Sequence, residues 1–424
     1  MSAEGCFDGH VHSGGSNDGA KPIEELIDAA KENNVEYMSV TDHNTFSEIR
    51  KFYRRNGYDL STPIVEFDGV KIISGVEVTC RINDIKNLSG NSTKVHLLVY
   101  GADMSPSSPL SQLLEIKRKN DLDCDIGLLR DVLHLYGHYE ITEDEIREYI
   151  RDKRKETPGY SSISKNDVWN FLNERKITVA TSYKEFLNKI DDLPRYERLN
   201  IDAGDLIKVA HASGGLVIPA HLAPNLARTT GRRNVVDYLL SQQVDGFEMF
   251  YESATPATTS LIRDCIRSRG QRKPVFTGGS DTHDFSHGNS VGRVNGKPLS
   301  IKAVSAFISE INRLANARYK GHITHKEYRD CDEEQVKSII KYYKEYYNQI
   351  VTNSKPTLPS GFDSRKPKKN KGKKNGNGSR YTKEDRRAMR EERDWNKSLA
   401  KGEILPKTTK YKDREQEDYS LENY

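Results

Sequence analysis

Hydrophobic positions follow two periods along residues 5–300 of this 424-residue chain. Short apolar runs, typical of buried strands, alternate with longer stretches whose apolar residues recur at helical spacing. The predicted strands are residues 5–11, 35–41, 70–76, 95–100, 215–220, 246–250 and 275–278. Strands that alternate with helices predict an α/β fold with a mostly parallel sheet covered by helices.

The pattern changes between residues 105 and 205, where helical spacing dominates and strand-like runs are few. We interpret this region as an inserted helical subdomain. The predicted organisation is a first barrel part (1–104), the insertion (105–205), a second barrel part (206–320), a helical extension (321–352) and a basic, largely disordered tail (353–424). Within the tail, residues 365–374 contain seven basic residues and no acidic one.

Composition limits the class of protein but says little about its partners. The 66 basic residues nearly balance the 62 acidic ones, for a net charge of +4. The five cysteines are scattered and have neither metal-site nor disulfide-framework spacing. Neither a long apolar stretch nor a signal-peptide pattern occurs, which predicts a soluble, cytoplasmic protein.

The first candidate for chemistry is the stretch from residue 7 to residue 19, Phe-Asp-Gly-His-Val-His-Ser-Gly-Gly-Ser-Asn-Asp-Gly. Alternate side chains of an extended segment share a face, so His10 and His12 can bind one cation. Asp8 is placed to orient one of the rings, and the glycines let the backbone turn and return Asp18 to the same site.

Further metal-ligand residues follow the ends of the predicted strands. The complete candidate set is His10, His12, Asp18, His43, Glu77, His96, His221, Asp281 and His283. Nine nitrogen and oxygen ligands exceed the needs of one ion, and this mixture favours two or three divalent transition metals, Mn, Fe or Zn. His96 differs because it lies near the start of its strand, which leaves a distorted strand and a different register as alternatives.

Seven short motifs, taken in order, resemble those of the PHP (polymerase and histidinol phosphatase) superfamily over residues 5–300. They are Asp8-Gly-His-Val-His-Ser, Asn17-Asp-Gly, Thr41-Asp-His, Gly75-Val-Glu, Val95-His-Leu-Leu, Pro219-Ala-His and Gly279-Ser-Asp-Thr-His. The spacing is most similar to the TrpH-type branch, which includes nucleoside 3',5'-bisphosphate phosphatases and the 5'-to-3' exoribonuclease RNase AM. The resemblance implies a distorted seven-stranded TIM-like (β/α)7 barrel, a trinuclear metal centre and hydrolysis of phosphoesters.

The resemblance also implies how the nine ligands divide between ions. One ion would be held by His10, His12, Glu77 and Asp281, a second by Glu77, His96 and His221, and a third by Asp18, His43 and His283. Two departures from the family pattern occur. Asn17 is a rival of Asp18, although the following glycine favours Asp18, and Lys165-Asn166-Asp167 replaces the Arg-Pro-His that holds substrate phosphate in the TrpH branch.

The favoured function is a metal-dependent phosphoesterase that acts on nucleotides or nucleic-acid ends, as a 5'-3' exonuclease or a nucleotide phosphatase. A small-metabolite phosphatase of the histidinol-phosphatase type and a non-catalytic PHP scaffold remain alternatives. The basic tail favours a nucleic-acid substrate, but it is equally typical of a solvated linker. Asp42 and Glu248 are candidate proton donors, and each is also a candidate for orienting a ligand.

Overall fold

The computed structural model describes residues 5–353, apart from residues 17, 20, 136, 139, 143, 147, 150–164, 191–196, 270–273, 284–289 and 320–331. The predicted tail therefore lies outside the described residues, except for Asn353. Among the helices of the described part, none is both long and apolar enough to cross a membrane.

The described elements alternate between strands and helices on both sides of a helical region. The strands are β1 Cys6–Val11, β2 Val35–Val40, β3 Ile64–Phe67, β4 Val70–Lys86, β5 Ser92–Tyr100, β6 Ile201–Asp202, β7 Leu216–Pro219, β8 Gly246–Phe250, β9 Val275–Gly278, β10 Arg293–Val294 and β11 Lys297–Pro298. The helices are α1 Ile23–Glu32, α2 Ser47–Arg55, α3 Pro109–Leu135, α4 Lys165–Glu174, α5 Tyr183–Ile190, α6 Ala203–Ala212, α7 Leu222–Ala227, α8 Arg232–Ser241, α9 Pro256–Arg269, α10 Ser305–Tyr319 and α11 Glu333–Asn353.

The main sheet has the order β1-β2-β4-β5-β7, with β3 and β6 also paired to β4. Strands β1, β2 and β4 are parallel, as predicted. Strand β5 is antiparallel to β4, which corrects its predicted direction, and β7 is antiparallel to β5. The reversal follows from the five residues between β4 and β5, since a parallel partner needs a crossover of a dozen or more. Strand β7 therefore runs in the same direction as β4.

This reversal explains the position of His96. An antiparallel strand starts at the edge of the sheet where its parallel neighbours end, so a residue near the start of β5 lies beside residues that end β1, β2 and β7. His96 is paired with Thr79 of β4, two residues beyond Glu77. Neither a distorted strand nor a different register is needed to explain the position of His96.

Both faces of the sheet are apolar, but they belong to different hydrophobic clusters. One face of β4, with Val76, Val78 and Cys80, belongs to the large core that it forms with the surrounding helices. The other face contributes Ile73 to an inner cluster, which α10 covers with Phe307. The rest of the inner cluster consists of buried residues of β1, β2, β5, β7 and the 299–314 segment, namely Phe7, Tyr37, Leu98, Tyr100, Leu216, Ile218, Ala220, Leu299, Val304, Ile308, Ile311 and Leu314.

Strands β8 and β9 form a separate parallel pair, so the described ladder is not a continuous barrel. Backbone hydrogen bonds nevertheless connect the pair to both edges of the main sheet. The N–H of Asp245, just before β8, donates to Val217 O at 2.8 Å. After β9, the N–H of Asp281 donates to His10 O, and Thr282 O accepts from the N–H of His12, both at 2.9 Å.

The described part of residues 105–205 has a hydrophobic core of its own. This core includes Leu129 of α3, Phe171 of α4 and Phe186 of α5, all fully or almost fully buried. The first half of α3 instead packs in the main core through Leu110 and Leu113. Helix α3 therefore contributes to both cores. The exact domain boundaries remain a prediction from the sequence.

Candidate metal centre

All nine predicted ligands lie at one edge of the sheet, where the parallel strands end and β5 begins. Their nitrogen and oxygen atoms form four overlapping groups, and within each group the atoms lie within 4.8 Å of one another. The groups are His12, Asp18, His43 and His283; His10, His12 and Glu77; His10, His221 and Asp281; and Glu77, His96 and His221.

Glu77 occupies the centre of this arrangement. Its side chain is completely buried, and its two oxygens face different imidazoles. Oε1 lies 2.6 Å from His96 Nδ1 and 3.0 Å from His221 Nε2. Oε2 lies 3.5 Å from His10 Nε2 and 3.4 Å from His12 Nε2. Such a carboxylate can serve two neighbouring cations.

The first predicted group, His10, His12, Glu77 and Asp281, is spread over two of these four groups, which share His10. The two Nε2 atoms of His10 and His12 are 3.1 Å apart. Asp281 Oδ1 lies 3.3 Å from His10 Nε2 and 3.2 Å from His12 Nε2. Four ligands placed tetrahedrally about 2.1 Å from an ion would be about 3.4 Å apart. The five separations of 3.1–3.5 Å among His10, His12, Glu77 and Asp281 are close to this spacing.

The other two predicted groups lie on either side of the first. His96 and His221 meet at Glu77 Oε1, with ring centroids 5.1 Å apart. On the other side, Asp18 Oδ2 lies 3.3 Å from His43 Nε2 and 3.5 Å from His283 Nε2. Asn17, the rival of Asp18, lies outside the described residues.

Asp18 reaches this position because the loop after β1 folds back tightly. A Cβ atom at Gly19 would lie 1.9 Å from Ser13 O, a distance that no side chain tolerates. Only glycine allows this close approach of two backbone segments. The predicted return of the loop therefore has a specific steric cause.

Charge at the centre is strongly coupled. Burial by itself would lower the pKa of His10, but the carboxylates of Asp281 and Glu248 outweigh burial and raise that pKa well above its usual range. Burial likewise would raise the pKa of Glu77, yet the neighbouring imidazoles hold it well below its usual range. The buried acids thus favour positive charge at their centre, which divalent cations would supply.

Two buried atoms support the fit to metal ions. Among the described residues, His43 Nδ1 and Glu77 Oε2 have no hydrogen-bond partner. They lie 2.8 Å apart, but the contact does not have the angles of a hydrogen bond. Buried polar atoms without partners are rare and costly, and binding of a cation would satisfy them. The donor set therefore fits divalent metal ions.

The outer nitrogen of each central imidazole has its own partner. His10 Nδ1 lies 3.0 Å from Glu248 Oε1, and Glu248 Oε2 accepts the backbone N–H of His221 at 2.6 Å. His12 Nδ1 lies 3.0 Å from Ser16 Oγ. Contacts of this kind fix ring orientation and leave each Nε2 free to face the centre.

Asp42 holds the loop after β1 rather than facing the centre. It accepts hydrogen bonds from Ser13 N at 2.7 Å, Ser13 Oγ at 2.6 Å and Ser16 Oγ at 3.3 Å. Burial raises its pKa to about 6 despite these bonds. Asp42 and Glu248 are each only 1% exposed. Their contacts agree with a role in orienting ligands, which the sequence left open as an alternative to proton donation.

The expected role of Asp8 is wrong in detail. Among the described residues, its carboxylate binds no imidazole ring but accepts backbone N–H groups of His10 at 3.1 Å, Ser280 at 3.0 Å and Gly292 at 2.7 Å. Asp8 is completely buried, and Ser280 and Gly292 lie 272 and 284 residues after it in the chain. Asp8 therefore ties the β1 ligands to the loop that carries Asp281.

Two predicted ligands have a strained backbone. His221, after β7, has a φ of 28°, and Asp281, after β9, has a φ of 53°. Positive φ is uncommon in residues with a Cβ and is concentrated at functional sites. The surrounding hydrogen bonds to Glu248 and His10 hold both residues in these conformations.

The sequence reasoning missed Ser16 and Asn44. Ser16 Oγ contacts His12 and Asp42 and also accepts the backbone N–H of His43 at 2.8 Å. Asn44 joins the loop after β2 to β4, since its N–H donates to Glu77 O and its Oδ1 accepts the N–H of Thr79. Their positions next to predicted ligands were the only available signal.

Comparisons with known proteins give similarity in fold and one match to a family model. The chain is similar in structure to a protein from Bifidobacterium adolescentis, described provisionally as a metal-dependent phosphoesterase, with 18% identity, a TM-score of 0.51 and coverage of 74% of this chain and 96% of the other. An amidohydrolase from Chromobacterium violaceum, with bound sulfate and no metal, has 17% identity, a TM-score of 0.46 and coverage of 73% and 96%. A comparison with curated proteins gives no match. Residues 8–163 match the model of the PHP domain family.

Proposed function

We propose that this protein is a metal-dependent phosphoesterase with two or three divalent transition-metal ions, Mn, Fe or Zn, at the candidate centre. The observation that carries the proposal is the position of Glu77, whose two buried oxygens meet different sets of imidazoles, two at Oε1 and three at Oε2. The PHP domain supports the same chemistry at a coarser level, that of a metal-dependent hydrolase.

The protein's own residues would hold the ions and shape their surroundings. When bound, such ions neutralise charge on the phosphoryl oxygens and make water a nucleophile near neutral pH. Glu248 and Ser16 keep His10 and His12 in fixed orientations. Asp8 holds the segment before Asp281 against β1. The ligands are thereby positioned before substrate arrives, which lowers the reorganisation needed during the reaction.

Substrate would approach from the side of Asp18, Asp281 and His283. The side chains of these residues are 46%, 32% and 32% exposed, whereas those of His10 and Glu77 are completely buried. Asp42 and Glu248 lie on the buried side, so we propose that they orient ligands and do not donate the proton to the leaving group.

We further propose that the strands form a distorted (β/α)7 barrel. The backbone hydrogen bonds from Asp245 to β7 and from Asp281 to β1 support this arrangement at the two junctions where the ladder is interrupted. A barrel explains why residues from β1, β2, β4, β7 and β9 meet at one edge, since the carboxyl ends of barrel strands build the active site, and the antiparallel β5 reaches the same edge near its start.

For substrate, we propose nucleotides or nucleic-acid ends. The motif resemblance to the TrpH-type branch supports this class, and the basic residues at 365–374 would attract a polyanion. Because Lys165-Asn166-Asp167 replaces the phosphate-holding triplet of that branch, the residues that select the substrate are expected to differ.

The first prediction concerns metal content and activity together. The purified protein should contain two or three Mn, Fe or Zn ions per chain by elemental analysis and should hydrolyse phosphomonoesters of nucleotides. Asp281→Ala should lower kcat at least a hundredfold, because the lost oxygen contacts both His10 and His12 in the first group.

Circular dichroism provides the folding control, because Asp281 lies on a loop and its removal should leave the spectrum unchanged. Glu345→Ala, at a 60% exposed position of α11, is the matched control for loss of a carboxylate. Near-normal turnover by Asp281→Ala with full metal content would show that the centre is structural or wrongly assigned.

The second prediction tests Glu248 as an orienting residue. Glu248→Gln keeps the shape of the side chain but removes its charge beside His10 Nδ1, so metal affinity should fall about 10- to 100-fold. Competition with a chelator measures this change. At saturating metal, the kcat of Glu248→Gln should largely recover. If kcat stays low at saturating metal, Glu248 takes part directly in proton transfer.

The third prediction concerns the tail. Truncation after residue 352 should raise KM for oligonucleotides at low salt and leave hydrolysis of a mononucleotide nearly unchanged, because a mononucleotide has few phosphates to attract. The difference should fade as salt is raised. Equal kinetics of the two proteins on oligonucleotides across a salt series would identify the tail as a linker and favour the small-metabolite alternative.

A further inference from the structure

The β4–β5 hairpin continues beyond the candidate centre. Glu77 pairs with Leu98, Thr79 with His96, and Arg81 with Lys94. Paired residues of an antiparallel ladder share a face, so all six side chains belong to the face that carries the metal ligands. Two residues along a strand span about 7 Å, which places the Arg81–Lys94 pair one layer outward from His96.

The two basic residues of this layer differ in their contacts. The guanidinium of Arg81 donates to Ser92 O at 2.9 Å and to Asn200 Oδ1 at 3.5 Å, which fixes its position on the hairpin. Lys94 is exposed and makes no ion pair with a carboxylate of the described residues. Its ammonium group is therefore available to an anion.

A third basic residue reaches the hairpin from another element. Arg228 follows α7, the helix that begins after His221, and it is exposed without an ion pair to any described carboxylate. Its backbone O accepts the N–H of Leu88 at 2.9 Å, and the next residue, Thr229, bridges to Asn87. The segment from His221 to Thr229 is thus held against the end of the hairpin.

Neither Lys94 nor Arg228 is paired with a carboxylate of the described residues. Glu77 is the acid on the same face of the β4–β5 hairpin. Glu77 would be occupied by cations in the loaded centre, so the surface outside His96 and His221 would be strongly positive. Repulsion among cations without acidic partners is relieved by a bound anion.

We infer that Lys94 and Arg228, with Arg81 behind them, form a subsite for a second phosphate group of the substrate, one layer outward from His96 and His221. The inference rests on the proposed phosphoesterase function and adds a specificity element to it. It favours substrates with a second phosphate, such as the next phosphodiester of an oligonucleotide, over those with only the reacting phosphate. These basic residues would also replace the phosphate-holding Arg-Pro-His of the TrpH-type branch, in whose place this chain has Lys165-Asn166-Asp167.

The test compares a nucleoside 5'-monophosphate with a 5'-phosphorylated dinucleotide, which adds one phosphodiester. The ratio of kcat/KM for the dinucleotide to that for the mononucleotide should fall about tenfold in Lys94→Ala and in Arg228→Ala, mainly through KM, as expected for one charge-assisted contact. Lys94→Arg should restore most of the ratio. Lys337→Ala removes an equal charge from a 68% exposed lysine of α11 that is paired with Glu334, and it should leave the ratio unchanged.

Equilibrium binding separates failure of the subsite from failure of the proposed function. Calorimetry with non-hydrolysable phosphonate analogues of both compounds should show tighter binding of the dinucleotide analogue by wild type, and loss of that preference in Lys94→Ala, even if neither substrate is hydrolysed. Equal ratios and equal affinities in wild type and both alanine variants would overturn the subsite. Inhibition by inorganic phosphate that depends on Lys94, with no change in the substrate ratio, would also overturn it and identify a site for free phosphate.

Discussion

The candidate centre depends on a buried carboxylate placed among imidazoles. Glu77 is removed from water completely, and its oxygens lie within 3.5 Å of five histidine nitrogens, two at Oε1 and three at Oε2. An isolated charge in such a position would destabilise the fold by several kcal/mol. The histidines and the cations that they would hold together with Glu77 offset that cost. The most buried acid of the centre is thereby also its organising ligand.

The fold brings the histidines to Glu77 by a reversal in strand direction. Because β5 returns along β4 as a hairpin, His96 near its start meets His221 beyond the end of β7. The same hairpin extends outward and carries the Arg81–Lys94 pair. One local feature, a connection of five residues, thus determines both a ligand position and the basic surface next to it.

The sequence predicted the seven principal strands because their apolar runs are largely buried and most of them end at recognisable ligand residues. It missed β3 and β6, which are short and pair only with β4, and the helix α2, whose apolar positions Ile49 and Phe52 occur among many charges. The direction of β5 was missed because periodicity reports burial and carries no information on strand direction. Contacts between distant segments, such as Asp8 with Gly292 or Ser16 with His43, depend on tertiary structure, so no local pattern could have indicated them.

The most direct test of the account is the metal stoichiometry of Glu77→Gln. This substitution preserves the volume of the side chain but removes the charge that two groups of imidazoles share. Elemental analysis after equilibration with Mn, Fe or Zn should show that the variant loses more than one ion per chain relative to wild type, while circular dichroism shows that it remains folded. Loss of a single ion would limit Glu77 to one group, and an unchanged stoichiometry would contradict its central role.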